Sequence, residues 1–115
     1  MVKNIIAKEF KEKIFDYDNE TEWNFKGTKP VICDYFASWC GPCKLLAPVL
    51  EEVSNEHPEI DFYKVDTELE SELSIQFSIR SIPAVLYIPL NGTPKMVLGF
   101  SGKENIEKEI AKVFK

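Results

Sequence analysis

The stretch Val31-Ile32-Cys33-Asp34-Tyr35-Phe36 constrains this chain most. It is short, rich in β-formers and apolar but for one carboxylate, so it lacks the alternation of a strand with one wet face. A run of this kind reads as a strand covered on both sides, which calls for a parallel or mixed sheet with helices on each face. The flanking sequence supplies those helices. Leu46, Val49, Leu50 and Val53 fall at i, i+3, i+4 and i+7, one apolar stripe of a helix from Pro42 to His57. Pro48 removes one backbone donor inside it and predicts a kink rather than an end, because the stripe continues; Pro58 stops it.

Further strands are expected at Ile60 to Val65 and Ala84 to Ile88. Asn91-Gly92 is a tight-turn signal, after which Met96 to Phe100 returns as an antiparallel partner. Thr67-Glu68-Leu69-Glu70 has capping-box spacing, with Leu69, Leu73 and Phe77 on one helical face. Ser101-Gly102-Lys103-Glu104 repeats the pattern before a terminal helix carrying Ile106, Ile110, Val113 and Phe114. Phe10 and Ile14, four apart, mark a helix near the N-terminus. From Val31 the order reads β-α-β-α-β-β-α. Its first two strands should form a right-handed parallel crossover. The expected fold is α/β: one mixed sheet, parallel β-α-β plus a C-terminal antiparallel hairpin, between helices, in a single domain spanning residues 1–115.

Composition removes several function classes. Lys plus Arg number 14 against 19 Asp plus Glu, a net charge of −5, which argues against nucleic acid or anionic lipid as partner. At 44% hydrophobic the chain is too apolar to be disordered. The longest uncharged apolar-rich stretch, Ile82 to Leu90, is too short to cross a bilayer. Three cysteines are too few, and odd in number, for a disulfide-stapled scaffold. Acidic residues crowd between Glu51 and Glu72, where Lys64 is the one base; this reads as a solvated surface.

Chemistry concentrates in Trp39-Cys40-Gly41-Pro42-Cys43-Lys44, where the first clear strand gives way to its helix. The crevice beyond the carboxyl ends of strands is the usual site in such sheets. Cys40 falls at the helix N-terminus, where free N–H groups and the positive end of the dipole favour a thiolate. Pro42 costs little in the first turn and stiffens it. Cys43 comes round to the same side, within reach of a disulfide, and Gly41 leaves room for an approaching sulfur. The pair can therefore exchange with another disulfide through a mixed intermediate. A zinc site has the same half-spacing, and Cys33, Cys40, Cys43 and His57 make a Cys3His set on paper. But Cys33 is inside a strand, and His57 lies at the far end of a helix about 25 Å long at roughly 1.5 Å per residue. A purely structural role is disfavoured too, since so short a loop removes little unfolded-state entropy.

From Val31 onward the sequence resembles the thioredoxin family. The landmarks are Asp34-Tyr35-Phe36-Ala37-Ser38-Trp39-Cys40-Gly41-Pro42-Cys43-Lys44, Ala47-Pro48, Lys64-Val65-Asp66, Ile79-Arg80-Ser81-Ile82-Pro83, Asn91-Gly92 and Gly99, in order. The resemblance implies the thioredoxin fold and dithiol–disulfide exchange. It makes Cys40 the exposed nucleophile and Cys43 the buried resolving thiol. Asp34 would be the buried carboxyl that takes the proton from Cys43, with Lys64 as its partner. Asp34 also stands out on its own, as the only charge in an apolar strand, where desolvation should raise its pKa. Pro83 would be a cis-proline opposite the cysteines. Trp39, Gly41, Pro42, Ile82, Pro83 and Gly99 would form a shallow apolar docking surface for extended substrates. Three features depart from the family pattern. Ala84 stands where Thr is usual, Phe36 stands where many members have Trp, and the connection from Asp18 to Lys29 is long. Cys33 reads as a small buried apolar residue.

These features imply a protein-disulfide reductase. No metal or cofactor of its own is expected. A thioredoxin reductase drawing on NADPH would recharge it, since the chain has no room for a flavin or nucleotide domain. The expected state is a monomer acting on disulfide-containing proteins. The alternatives are an oxidant or isomerase in an oxidising compartment, and a non-enzymatic binding subunit using the apolar surface around Trp39. No basic cluster precedes an apolar segment, which favours a cytoplasmic protein; a chain whose export signal had been removed would read the same and be periplasmic.

Overall fold

The computed structural model describes residues 1–114. Its elements are β1 (Val2–Asn4), α1 (Ala7–Lys13), β2 (Val31–Phe36), α2 (Gly41–Glu56), β3 (Asp61–Asp66), α3 (Ser71–Gln76), β4 (Ala84–Ile88), β5 (Lys95–Leu98) and α4 (Lys103–Val113). The strands form one sheet in the order β1-β3-β2-β4-β5. β3 runs parallel to both β1 and β2, while β4 is antiparallel to β2 and to β5. The apolar run that demanded cover on both faces is thus the central strand, and five of its six residues are buried.

Strand alternation sorts that cover into two cores. Val31, Cys33 and Tyr35 face α1 and α3, packing with Phe10, Ile14 and Leu73. Ile32 faces α2 and α4, packing with Leu46, Leu50, Val53, Ile106 and Ile110. Leu50 is 1% exposed and Val53 0%, and burying a side chain of this size is worth roughly 1.5–3 kcal/mol. The stripe therefore carries α2 past Pro48, which lies inside the helix without ending it.

Several local expectations are corrected. Thr67 does not cap a helix: its Oγ1 donates to the Phe36 carbonyl at 3.0 Å, tying the ends of β2 and β3 together. α3 starts at Ser71, and Leu69 is 77% exposed rather than on its buried face. Glu70, at the N-cap, spends its carboxylate on the Ala7 backbone N–H at 3.0 Å. Ser101 is not the N-cap of α4; Gly102 is, at φ 109°, a left-handed value that glycine tolerates, and Ser101 Oγ accepts from Asn105 instead. Asn91-Gly92 sits in a longer loop between β4 and β5, not a two-residue turn. β1, which the sequence did not betray, adds a sheet edge: Val2 lies opposite Phe62 and Asn4 opposite Lys64. The long connection after α1 folds back on that helix, with the Phe15 and Trp23 rings 4.8 Å apart and the Lys26 N–H bonded to the Ile14 carbonyl.

Candidate functional site

β2 ends at Phe36, and Ala37 to Trp39 turn the chain into α2. Cys40 is the N-cap, in an extended conformation (φ −87°, ψ 112°), with Gly41 and Pro42 in the first turn. Its Sγ accepts the Cys43 backbone N–H at 3.3 Å, so a sulfur does the work usually given to a Ser or Asp oxygen. Pro42 has no N–H to compete for it. The same N-cap geometry closes a Cys40–Cys43 disulfide, with Cα atoms 5.3 Å apart. The expected contrast in exposure is small in this state: Cys40 is 5% exposed and Cys43 3%. Bonded to each other, the two sulfurs lie against Ala37, Phe36 and Ile82.

Around the pair, Trp39 projects into solvent at 69% exposure, and Gly41 and Pro42 are exposed beside it. The Ile82–Pro83 bond is cis. The buried Pro83 offers its carbonyl to the Gly99 N–H at 2.7 Å, extending the β4–β5 ladder, while Ile82 is half-buried and Gly99 exposed. Two exposed leucines were not singled out from sequence. Leu45 falls off the buried stripe of α2, which was a legible signal. Leu98 lies opposite Ala84 across the β4–β5 pair, which no local pattern marks.

Asp34 points to the α2 face of the sheet, since it shares parity with Ile32. It lies between Lys64 of β3 and Val85 of β4 in register. It is 4% exposed, and burial pushes its carboxyl from 3.8 up to about 7, with the Lys64 charge opposing that rise. Lys64 acts on Asp34 through its charge and not through a hydrogen bond, and Asp34 Oδ1 has no hydrogen-bond partner among the described residues. A cavity of about 140 Å³ adjoins it, lined by Val2, Asp34, Ala47, Pro48, Leu50, Glu51 and Lys64. Cys33 faces the opposite side of the sheet, where burial pushes its thiol up and keeps it protonated. His57 caps the far end of α2 between Glu59 and Glu107, 2.7 Å from each. The Cys3His set is therefore not assembled.

A disulfide closed across two residues at a helix N-terminus, its first sulfur accepting a helix N–H, is placed to trade its bond for another. This chain is accordingly a dithiol–disulfide oxidoreductase. The thioredoxin family profile matches residues 2–112, and the chain belongs to that family. It is 42% identical over 115 residues to the thioredoxin of Borreliella burgdorferi, covering 99% of this chain and 98% of that one. Among solved structures, chloroplastic thioredoxin z superposes with a TM-score of 0.80 at 27% identity, over 97% of this chain and 93% of that one. The bifunctional thioredoxin reductase/thioredoxin of Mycobacterium leprae is 35% identical over 86 residues, which is 74% of this chain and 19% of that protein. The expected fold class is thereby established.

Proposed function

We propose that the chain works as a single-domain reductase of protein disulfides. The observation that carries this reading is the Cys43 N–H on Cys40 Sγ at 3.3 Å, at the N-terminus of a 16-residue helix. Once the pair is reduced, the same N–H and the helix dipole stabilise a Cys40 thiolate, lowering its pKa. That thiolate attacks a substrate disulfide, and one substrate sulfur leaves. Cys43 then attacks Cys40 Sγ, the second substrate sulfur leaves as thiolate, and the Cys40–Cys43 bond re-forms. Two electrons pass to the substrate. Asp34, poised near neutrality by burial, takes the proton from Cys43, and Lys64 tunes that carboxyl through its charge. Trp39, Gly41, Pro42, Ile82, Pro83 and Gly99 form the docking surface.

The reductase fused to its thioredoxin relative in Mycobacterium leprae supports an NADPH-dependent thioredoxin reductase as the electron donor here. A monomer in the cytoplasm, serving cellular electron transport, completes the proposal; no helix among the described residues is long and apolar enough to cross a membrane. Insulin reduction tests it. Cys40→Ser abolishes turnover and Cys43→Ser accumulates mixed disulfides; full turnover by Cys40→Ser refutes the mechanism. The redox potential against glutathione tests direction, since a value near that of strong oxidants would make the chain an oxidant or isomerase.

A further inference from the structure

Asp34 is buried, so a proton it takes from Cys43 needs a way out. The sheet itself closes one side, and Ile32, Val85 and Tyr87 belong to the apolar core on the same face as Asp34. The cavity of about 140 Å³ is the opening on the other side, with room for several water molecules at roughly 30 Å³ each. Asp34 Oδ1, without a partner among the described residues, belongs to a cavity-lining residue. The cavity runs beneath α2 one turn beyond Cys43, past Ala47 (i+4 from Cys43), and reaches the surface where Ala47 and Pro48 are exposed. Its polar walls are Asp34, Lys64 and Glu51. A lysine ammonium carries three donors and no acceptor, so Lys64 cannot receive the proton. Glu51, half-buried at the outer wall, can.

Resting on the proposed role of Asp34, we infer that Glu51 is the outer station of a proton exit, receiving through cavity water the proton that Asp34 takes from Cys43 and passing it to solvent. No electron moves in this step. The Cys43 S–H bond breaks, an Asp34 O–H forms and breaks, a Glu51 O–H forms and breaks in turn, and the proton ends on bulk water or buffer. Glu51 is a positioning residue in this scheme, because it acts through Asp34. Its Oε1 also accepts the Val2 backbone N–H at 3.0 Å, which fixes the carboxylate against β1. The charged groups facing it are Lys64 across the cavity and the Met1 ammonium, which is bonded to Ser54 Oγ at 2.8 Å, one turn along α2. Tyr87 of β4 is the further titratable group within reach of the Asp34 charge, which helps hold its phenol protonated.

Glu51→Gln separates the two jobs, since its amide oxygen still accepts from Val2 while its proton affinity is gone. Reduced protein is mixed with 5,5′-dithiobis(2-nitrobenzoate) and followed by stopped flow from pH 6 to 9. The first thionitrobenzoate reports attack by Cys40 and the second reports resolution by Cys43. Glu51→Gln should leave the first phase unchanged and slow the second about fivefold, less than a direct proton acceptor is worth. Added formate should restore the second phase, and Asp34→Asn/Glu51→Gln should be no slower than Asp34→Asn alone. A second phase at the wild-type rate in Glu51→Gln, or a slowing that formate does not relieve, overturns the inference. If Asp34→Asn itself resolves at the wild-type rate, the role proposed for Asp34 fails first; if only Glu51→Gln does, the exit alone fails.

Discussion

Replacing Asp34 by Asn should make the oxidised protein more stable, and by an amount that grows with pH. An ordinary aspartate titrates at 3.8, whereas burial pushes Asp34 to about 7. Below pH 4 the carboxyl is protonated in both folded and unfolded chains, and its acidity has no effect on stability. Between 4 and 7 the unfolded chain gives up the proton while the folded one keeps it, so stability falls as pH rises. Above 7 the full cost of holding a buried carboxylate is present, on the order of 4 kcal/mol. Asp34 lines a cavity rather than a dry core, which lets solvent polarisation screen part of that, so we expect a gain of about 2–4 kcal/mol for Asp34→Asn at pH 9. At pH 5 it should be about 1–2 kcal/mol, because only part of the gap has opened. Urea unfolding of the oxidised forms measures this with Cys40 and Cys43 locked out of titration; Cys33 is common to both proteins and cancels. Equal gains at pH 5 and pH 9, or an Asn variant less stable at pH 9, would show that Asp34 is not desolvated as described.

Other substitutions probe separate links. Ser78 holds a left-handed φ of 53° at the end of α3, so Ser78→Gly should raise stability by about 1 kcal/mol in the same urea assay; a loss would mean the strain is not there. His57, whose pKa is raised first by its bond to Glu59 and then by Glu107, stabilises the fold fully below its unfolded value of 6.5 and loses that contribution as pH climbs through the higher folded value. His57→Gln should therefore cost more at pH 6 than at pH 9, and a pH-independent cost would refute the linkage. Trp39 is exposed, so Trp39→Ala should leave the unfolding midpoint within about 0.5 kcal/mol of wild type while raising KM for insulin severalfold. An unchanged KM would remove Trp39 from the docking surface.

The elements legible in the sequence were those with a long, unambiguous pattern. The apolar run at Val31, the stripe from Leu46 to Val53 and the heavy spacing of Ile106 and Ile110 each bury many side chains, so the local pattern and the tertiary demand agree. The misread elements were those whose local chemistry was drawn elsewhere. Thr67 had the makings of a cap, but the neighbouring end of β2 offered its hydroxyl a carbonyl, and the capping signal at Ser101 gave way to a glycine. β1 is three residues long, too short for any periodicity, and exists as a strand because β3 presents an open edge.

The site divides along the same line. By itself the sequence determined the pairing chemistry of Cys40 and Cys43, because N-cap and third helical position are near neighbours in any helix. It determined too that a lone carboxylate would sit among apolar strand residues. Only the tertiary structure decided how acidic that carboxylate is, which helices cover each face of β2, and that a cavity joins Asp34 to Glu51. Desolvation and cavity shape are sums over atoms far apart along the chain, brought together by β1, α2 and β3, and no local pattern of residues contains them.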